Sequence, residues 1–128
     1  IVPADGFFEW QRSEGGKVKV PFHIRLKDER PFWIAGLHWP ASDDQPERYI
    51  LLTTGPNKLM EAIHDRMPVI MDQASAREWA APGPMPTNRM AALCTSYSAE
   101  KMIAYQVSSV VNSARNDVPD CVAPTITD

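Results

Sequence analysis

The sequence predicts an α+β fold of mostly antiparallel strands with a few short helices, on three observations. Short runs of aromatic and β-branched residues recur with turn clusters between them. No such run is followed by a helical pattern long enough for the repeated crossovers of a parallel, doubly wound sheet. Twelve prolines in 128 residues, about twice the average share, keep every element short. That length is one domain's worth of chain, with no internal repeat and no linker.

The elements follow in order. Residues 7–12, Phe-Phe-Glu-Trp-Gln-Arg, form a strand that ends in the turn cluster Ser13-Glu14-Gly15-Gly16. Lys19 to Leu26 alternates Phe22, Ile24 and Leu26 against His23 and Arg25, so the two runs make an antiparallel hairpin. Lys27 to Pro31 turns the chain into a third strand, Phe32 to Trp39, in which Gly36 marks a bulge or a close backbone approach. After a polar loop, Tyr49 to Thr54 is an aliphatic and β-branched run, read as a buried strand ended by Gly55-Pro56. Asn57 has the character of an N-cap, with Leu59, Met60 and Ile63 at helical spacing through about His64. Pro68 to Met71 is a brief strand, Ser75 to Ala80 a helical turn, and Pro82 to Pro86 a break that no regular element crosses. Beyond the apolar stretch at Met90–Thr95, Ser98 starts a helix, Tyr105 to Val111 reads as a strand, and Asn112 to Asp128 as irregular chain.

Composition excludes several classes of function. With 44% hydrophobic and 23% charged residues the chain is globular, and no uncharged apolar run is long enough to span a bilayer. A net charge of −3 argues against coating duplex DNA by bulk electrostatics. Locally the balance differs: between Gln11 and Arg30 stand six Lys or Arg and three acids, +3, which leaves −6 for the rest. Such a hairpin either follows a nucleic-acid backbone or is a solvated face. The four tryptophans suit a core better than base stacking. Cys94 and Cys121 fit no zinc spacing; Cys94 is expected to be buried and inert, and Cys121 has no cationic neighbour to activate it. No leader pattern is present, so a reducing cytoplasm is the expected compartment. Walker, GxGxxG, HExxH and GxSxG motifs are absent. The chain begins at Ile1, within a strand entry and without an initiator methionine, so a preceding segment is expected.

Two places could carry chemistry. Glu9 stands between Phe8 and Trp10, where an apolar setting would disfavour its charged form and suit it to acid–base work. From spacing alone the favoured alternative is that strand alternation turns Glu9 outward to solvent while Phe8 and Trp10 face inward. His64-Asp65-Arg66 places an imidazole, a carboxylate and a guanidinium in consecutive positions, either a proton shuttle beside a phosphate clamp or a helix-end histidine next to a surface pair. His23 and His38 are read as hydrogen-bonded or solvent-facing.

Taken together, Pro3-Ala4-Asp5-Gly6-Phe7-Phe8-Glu9-Trp10, Ile50-Leu51-Leu52-Thr53-Thr54, Ile63-His64-Asp65-Arg66-Met67-Pro68-Val69-Ile70-Met71 and the stretch from Val107-Ser108 to Val111-Asn112 resemble the SOS response-associated peptidase family of abasic-site processing proteins. The resemblance implies a bifurcated or barrel-like sheet and a single domain over residues 1–128 that is incomplete at its N-terminus. It also implies a reaction on single-stranded DNA. Loss of the initiator methionine exposes an N-terminal cysteine, whose amine and thiol capture the ring-opened aldehyde of an abasic sugar as a thiazolidine. By the same match Glu9 stabilises and protonates the imine, and His64 assists ring opening and proton transfer. Arg66 holds a phosphate, Thr53 gives a backbone-side hydrogen bond, and Trp10 packs against the strand. No cofactor and no metal are implied; the expected partner is single-stranded DNA with an abasic site, bound by a monomer in the cytoplasm at the nucleoid. The chain itself lacks the cysteine and the upstream asparagine- and arginine-containing segment, and neither Cys94 nor Cys121 matches it. A noncovalent single-strand binding module and a peptidase acting on other proteins are the alternatives. A shared site requires that Glu9 and His64 converge on one cleft.

Overall fold

The computed structural model describes residues 1–12, 16 and 19–125. The expected turn at Ser13–Gly16 lies, Gly16 apart, outside them, as does Lys17 of the basic hairpin. In chain order the described strands are β1 (Val2–Ala4), β2 (Phe7–Arg12), β3 (Lys19–Leu26), β4 (Phe32–Ile34), β5 (Gly36–Trp39), β6 (Arg48–Leu51), β7 (Thr53–Thr54), β8 (Met67–Pro68), β9 (Ile70–Met71) and β10 (Met102–Gln106). Helices α1 (Gln73–Trp79) and α2 (Thr87–Leu93) stand between β9 and β10. The fold is α+β with antiparallel pairing throughout these strands. One sheet has the order β10-β3-β2, another β1-β4-β9, and β5-β6 and β7-β8 form two-stranded ribbons, so no barrel closes among the described residues.

The branching of the sheet has a specific backbone cause. Three runs that the sequence presents as continuous strands each break at one residue, Ala35, Leu52 and Val69. Ala35 N–H donates to Val69 O, Val69 N–H to Leu52 O, and Leu52 N–H to Ala35 O, each at 2.9 Å. This ring satisfies three backbone donors at the point where each chain leaves one partner for another. Hence β4 lies in a three-stranded sheet while β5, its continuation, pairs with β6. The close approach expected at Gly36 is present, because a Cβ there would stand 2.8 Å from Ile50 O. Trp79 Nε1 donates to Gly36 O at 3.0 Å and holds α1 over the branch.

Ile24, Phe32, Met60, Met67 and Met102 form the main core between the two three-stranded sheets, and Ala35, Val69, Met71, Ala76 and Leu93 form a second beneath α1 and α2. Several expectations are corrected. The run from Tyr49 is not buried: Tyr49, Ile50 and Leu51 are exposed, as are Leu37 and Trp39 opposite, because no described element covers the β5-β6 ribbon. The other three tryptophans are half-buried. The helix expected from Asn57 to His64 is a single 3-10 turn, Met60–Ala62. Asn57 Oδ1 accepts from the N–H groups of Leu59 and Met60, while its Nδ2 donates to Tyr97 O at 2.7 Å, so the cap is buried and the turn is fixed by tertiary contacts. The last strand starts earlier than expected, at Met102, and stops at Gln106, since Ser108 Oγ accepts from Val110 N–H and starts a 3-10 turn at Ser109–Asn112. The helix expected at Ser98 is likewise a 3-10 turn, Ala99–Lys101, and the stretch from Met90 belongs to α2. Cys94 is half-buried, and that burial pushes its thiol pKa up; Cys121 is buried.

Candidate functional site

Edge strand β2 supplies the first half of the site. Its register against β3 pairs Phe7 with Ile24 and Glu9 with Phe22, so Phe7, Glu9 and Gln11 share one face. Phe7 meets Phe32 edge-on in the core, at 6.5 Å between ring centroids. Glu9 therefore points to the core side of the edge, not outward, and its side chain is 24% exposed. Gln11, one step along the same face, donates from Nε2 to Ala62 O at 2.6 Å and ties the 3-10 turn to β2. Two residues after Ala62 the chain presents His64, whose Nε2 lies 3.9 Å from Glu9 Oε2. That separation is too long for a direct hydrogen bond and leaves the two groups facing a common point.

The other ring nitrogen is supported by its own segment. His64 Nδ1 accepts from Arg66 N–H at 3.2 Å, and Arg66 O and Asp65 Oδ1 stand 3.2 and 3.3 Å away. A donor and two acceptors at Nδ1 give either tautomer a partner, so Nε2 can hold or release a proton without the ring losing its orientation.

Trp10 leaves the opposite face of β2 and donates from Nε1 to Asn112 Oδ1 at 2.7 Å. Glu9, Trp10, Arg12, Lys19, His64 and Asn112 line one cleft of about 310 Å³. Neighbouring residues of a strand face opposite ways, so a cleft that touches both Glu9 and Trp10 runs across the edge of β2 that no other described strand pairs. An adjoining hollow of about 360 Å³ shares Trp10, Arg12 and His64.

Of the five residues singled out from the sequence, the fold brings Glu9, His64 and Trp10 to this cleft. Thr53 and Arg66 meet each other instead: Arg66 Nη2 donates to Thr53 O at 2.6 Å and to Oγ1 at 2.8 Å, and Nε donates to Oγ1 at 3.1 Å. They lie on the β7-β8 side, and neither lines the cleft. Gln11 and Asn112 are site residues that no sequence signal assigned a role, whereas Arg12 and Lys19 belong to the basic hairpin. His23 lies elsewhere, buried, with Nδ1 2.8 Å from Tyr105 Oη and its pKa held down by that burial. His38 is exposed beside Glu47 at 2.8 Å. Among the described residues no group of three or more His, Cys, Asp or Glu could hold a metal ion, and no helix is long and apolar enough to cross a membrane.

Known proteins resemble this chain in sequence and in fold. The profile of the family described as SOS response associated peptidase (SRAP) matches residues 1–114. The abasic site processing protein YoqW of Bacillus subtilis is 42% identical over 125 residues, 95% of this chain and 55% of that protein. The abasic site processing protein HMCES of Xenopus tropicalis is 35% identical over 98% of this chain and 43% of its own length. A crystal structure of a protein from Bacteroides thetaiotaomicron superposes with a TM-score of 0.82 at 32% identity, covering 98% of this chain and 56% of that one. The chain thus spans about half the length of the relatives it matches. With the family profile matched across residues 1–114 of its 128, the chain belongs to the SOS response associated peptidase family.

Proposed function

We propose that this chain is the larger part of a domain that processes abasic sites in single-stranded DNA by forming a covalent thiazolidine, with the nucleophilic cysteine on a segment preceding Ile1. The observation that carries this reading is the convergence of Glu9 and His64, 3.9 Å apart, on one cleft beside Trp10. The names of the relatives and their greater length support it.

In the proposed reaction water first hydrolyses the peptide bond between the initiator methionine and the cysteine, releasing free methionine and the cysteine α-amine. The cysteine α-amine then adds to C1′ of the ring-opened sugar and water leaves, giving an imine. The thiol sulfur adds to the same carbon, and its proton passes to the nitrogen as the ring closes. Every step on the sugar moves a proton at or beside C1′. Glu9 serves the departing water and the imine nitrogen, while His64 serves the sugar oxygen during ring opening. Arg66, held by Thr53, contacts a phosphate near the lesion, which positions the strand without reading its sequence. The protein acts as a monomer in the cytoplasm at the nucleoid.

The test is incubation of the whole protein with single-stranded DNA containing one abasic site. A band that survives denaturant is expected, and replacing the N-terminal cysteine by alanine should abolish it. Glu9→Gln and His64→Ala should each slow its formation by about 10²- to 10⁴-fold, the usual contribution of a positioned acid or base. Absence of a band from the intact protein overturns the reading.

A further inference from the structure

We propose that Arg12 and Lys19 form a phosphodiester seat for the DNA strand at the open end of the Glu9–His64 cleft, separate from Arg66; this rests on the DNA-processing reading. Arg12 and Lys19 are direct cross-strand partners at the end of β2 and β3, so their side chains leave the sheet on the same face. That face is the one Trp10 occupies, two residues along β2 from Arg12. Both cations line the cleft that contains Glu9 and His64. Arg66 does not line it, and its guanidinium is engaged with Thr53 by three hydrogen bonds.

Geometry sets the path. The cleft crosses that edge of β2, with the acid–base pair on the core side and the two cations on the other. The cleft thus offers a nucleotide whose sugar reaches Glu9 and His64 a path for its neighbouring backbone over the edge, past Trp10, toward Arg12 and Lys19. Trp10 cannot swing into that path freely, because its indole N–H is bound to Asn112. Two adjacent cations on a chain of net charge −3 make a local attraction for a phosphodiester.

The experiment is equilibrium binding of the whole protein to a single-stranded oligonucleotide carrying a tetrahydrofuran abasic analogue, which has no aldehyde and cannot crosslink, over a series of salt concentrations. The double variant R12A/K19A should weaken binding and reduce the slope of log K against log salt by about 0.7 for each phosphate no longer neutralised, so by about 0.7 to 1.4. R12K should keep the wild-type slope. The variant K27A/R30A, with cations of the same hairpin outside the cleft, should also keep it. A slope unchanged in R12A/K19A, or reduced equally in K27A/R30A, overturns the seat. The analogue separates this inference from the crosslinking chemistry. A protein that binds it through Arg12 and Lys19 yet forms no band with a reactive site retains the seat and loses the thiazolidine. A protein that forms the band while R12A/K19A leaves the slope unchanged retains the thiazolidine and loses the seat.

Discussion

His23 and His64 have the same side chain and opposite surroundings. His64 is half-exposed, with an open nitrogen in the cleft. His23 is buried between Phe8 and Tyr105, and a Cβ on Gly6 would collide with its Nε2, which makes glycine at that position a condition of the imidazole's fit. Tyr105 donates its hydroxyl proton to Val122 O at 3.1 Å, which leaves the hydroxyl oxygen to accept from His23 Nδ1–H and assigns the tautomer. Burial lowers the pKa of His23 below its usual 6.5, with Asp5 opposing the shift and Arg25 adding to it. The unfolded chain then binds the proton more readily than the folded one. Stability is unaffected above the unfolded value and falls as pH drops below about 6.5. A thermal midpoint that declines between pH 7 and pH 5 in the wild type should decline less in His23→Phe. That variant should also be less stable at pH 7 by about 0.5–1.5 kcal/mol for the lost hydrogen bond. Sequence indicated the class of this residue, hydrogen-bonded or solvent-facing, but the choice between those depended on Tyr105, 82 positions away.

At the scale of elements, helix α1 has seven residues, too few to persist by itself, and buries Ala76 alone among them. Its start is fixed by Asp72, whose side chain accepts from Ser75 N–H at 2.8 Å. That bond holds the Asp72 carboxyl below the ordinary carboxylate range. The stabilisation is therefore present above that range and is lost as pH falls through the folded value. Asp72→Ala should cost about 0.5–2 kcal/mol at pH 7, toward the lower end because the cap is solvent-exposed, and the difference from wild type should shrink in acid. Chemical denaturation at two pH values checks both statements. The cap was not legible from spacing alone, which placed the helical turn two residues late, at Ser75; a carboxylate three residues ahead of a serine is the local signal for it. The bounds of both strands of the β2-β3 hairpin were legible, because the aromatic run of β2, the alternation of Phe22, Ile24 and Leu26 in β3 and the turn cluster between them are local signals. The Asn57 segment misled because its apolar spacing fits a helix, while the buried bonds of Asn57 to Tyr97 and Met102 hold it as a single turn.

For the whole molecule the deciding feature is the three-way junction at Ala35, Leu52 and Val69. Ala35 and Val69 have no exposed surface, and the junction orients both the β7-β8 ribbon that carries Thr53 and the segment that leads from Arg66 into the core. Ala35→Leu should overpack it and destabilise the protein by about 1–3 kcal/mol, read as a lower urea midpoint with an unchanged slope. The fold class, the hairpin that bears Glu9 and the His64 segment follow from the order of residues, because they rest on local patterning, turn residues and short motifs that act over a few positions. Packing sets Glu9 on the core side of an edge strand, brings His64 within 3.9 Å of it and holds Trp10 against Asn112. It likewise divides three continuous-looking strands between sheets. The physical reason is the same in each case: a strand's alternation specifies two faces but not which one is covered, and the backbone bonds that choose come from residues far away in the chain.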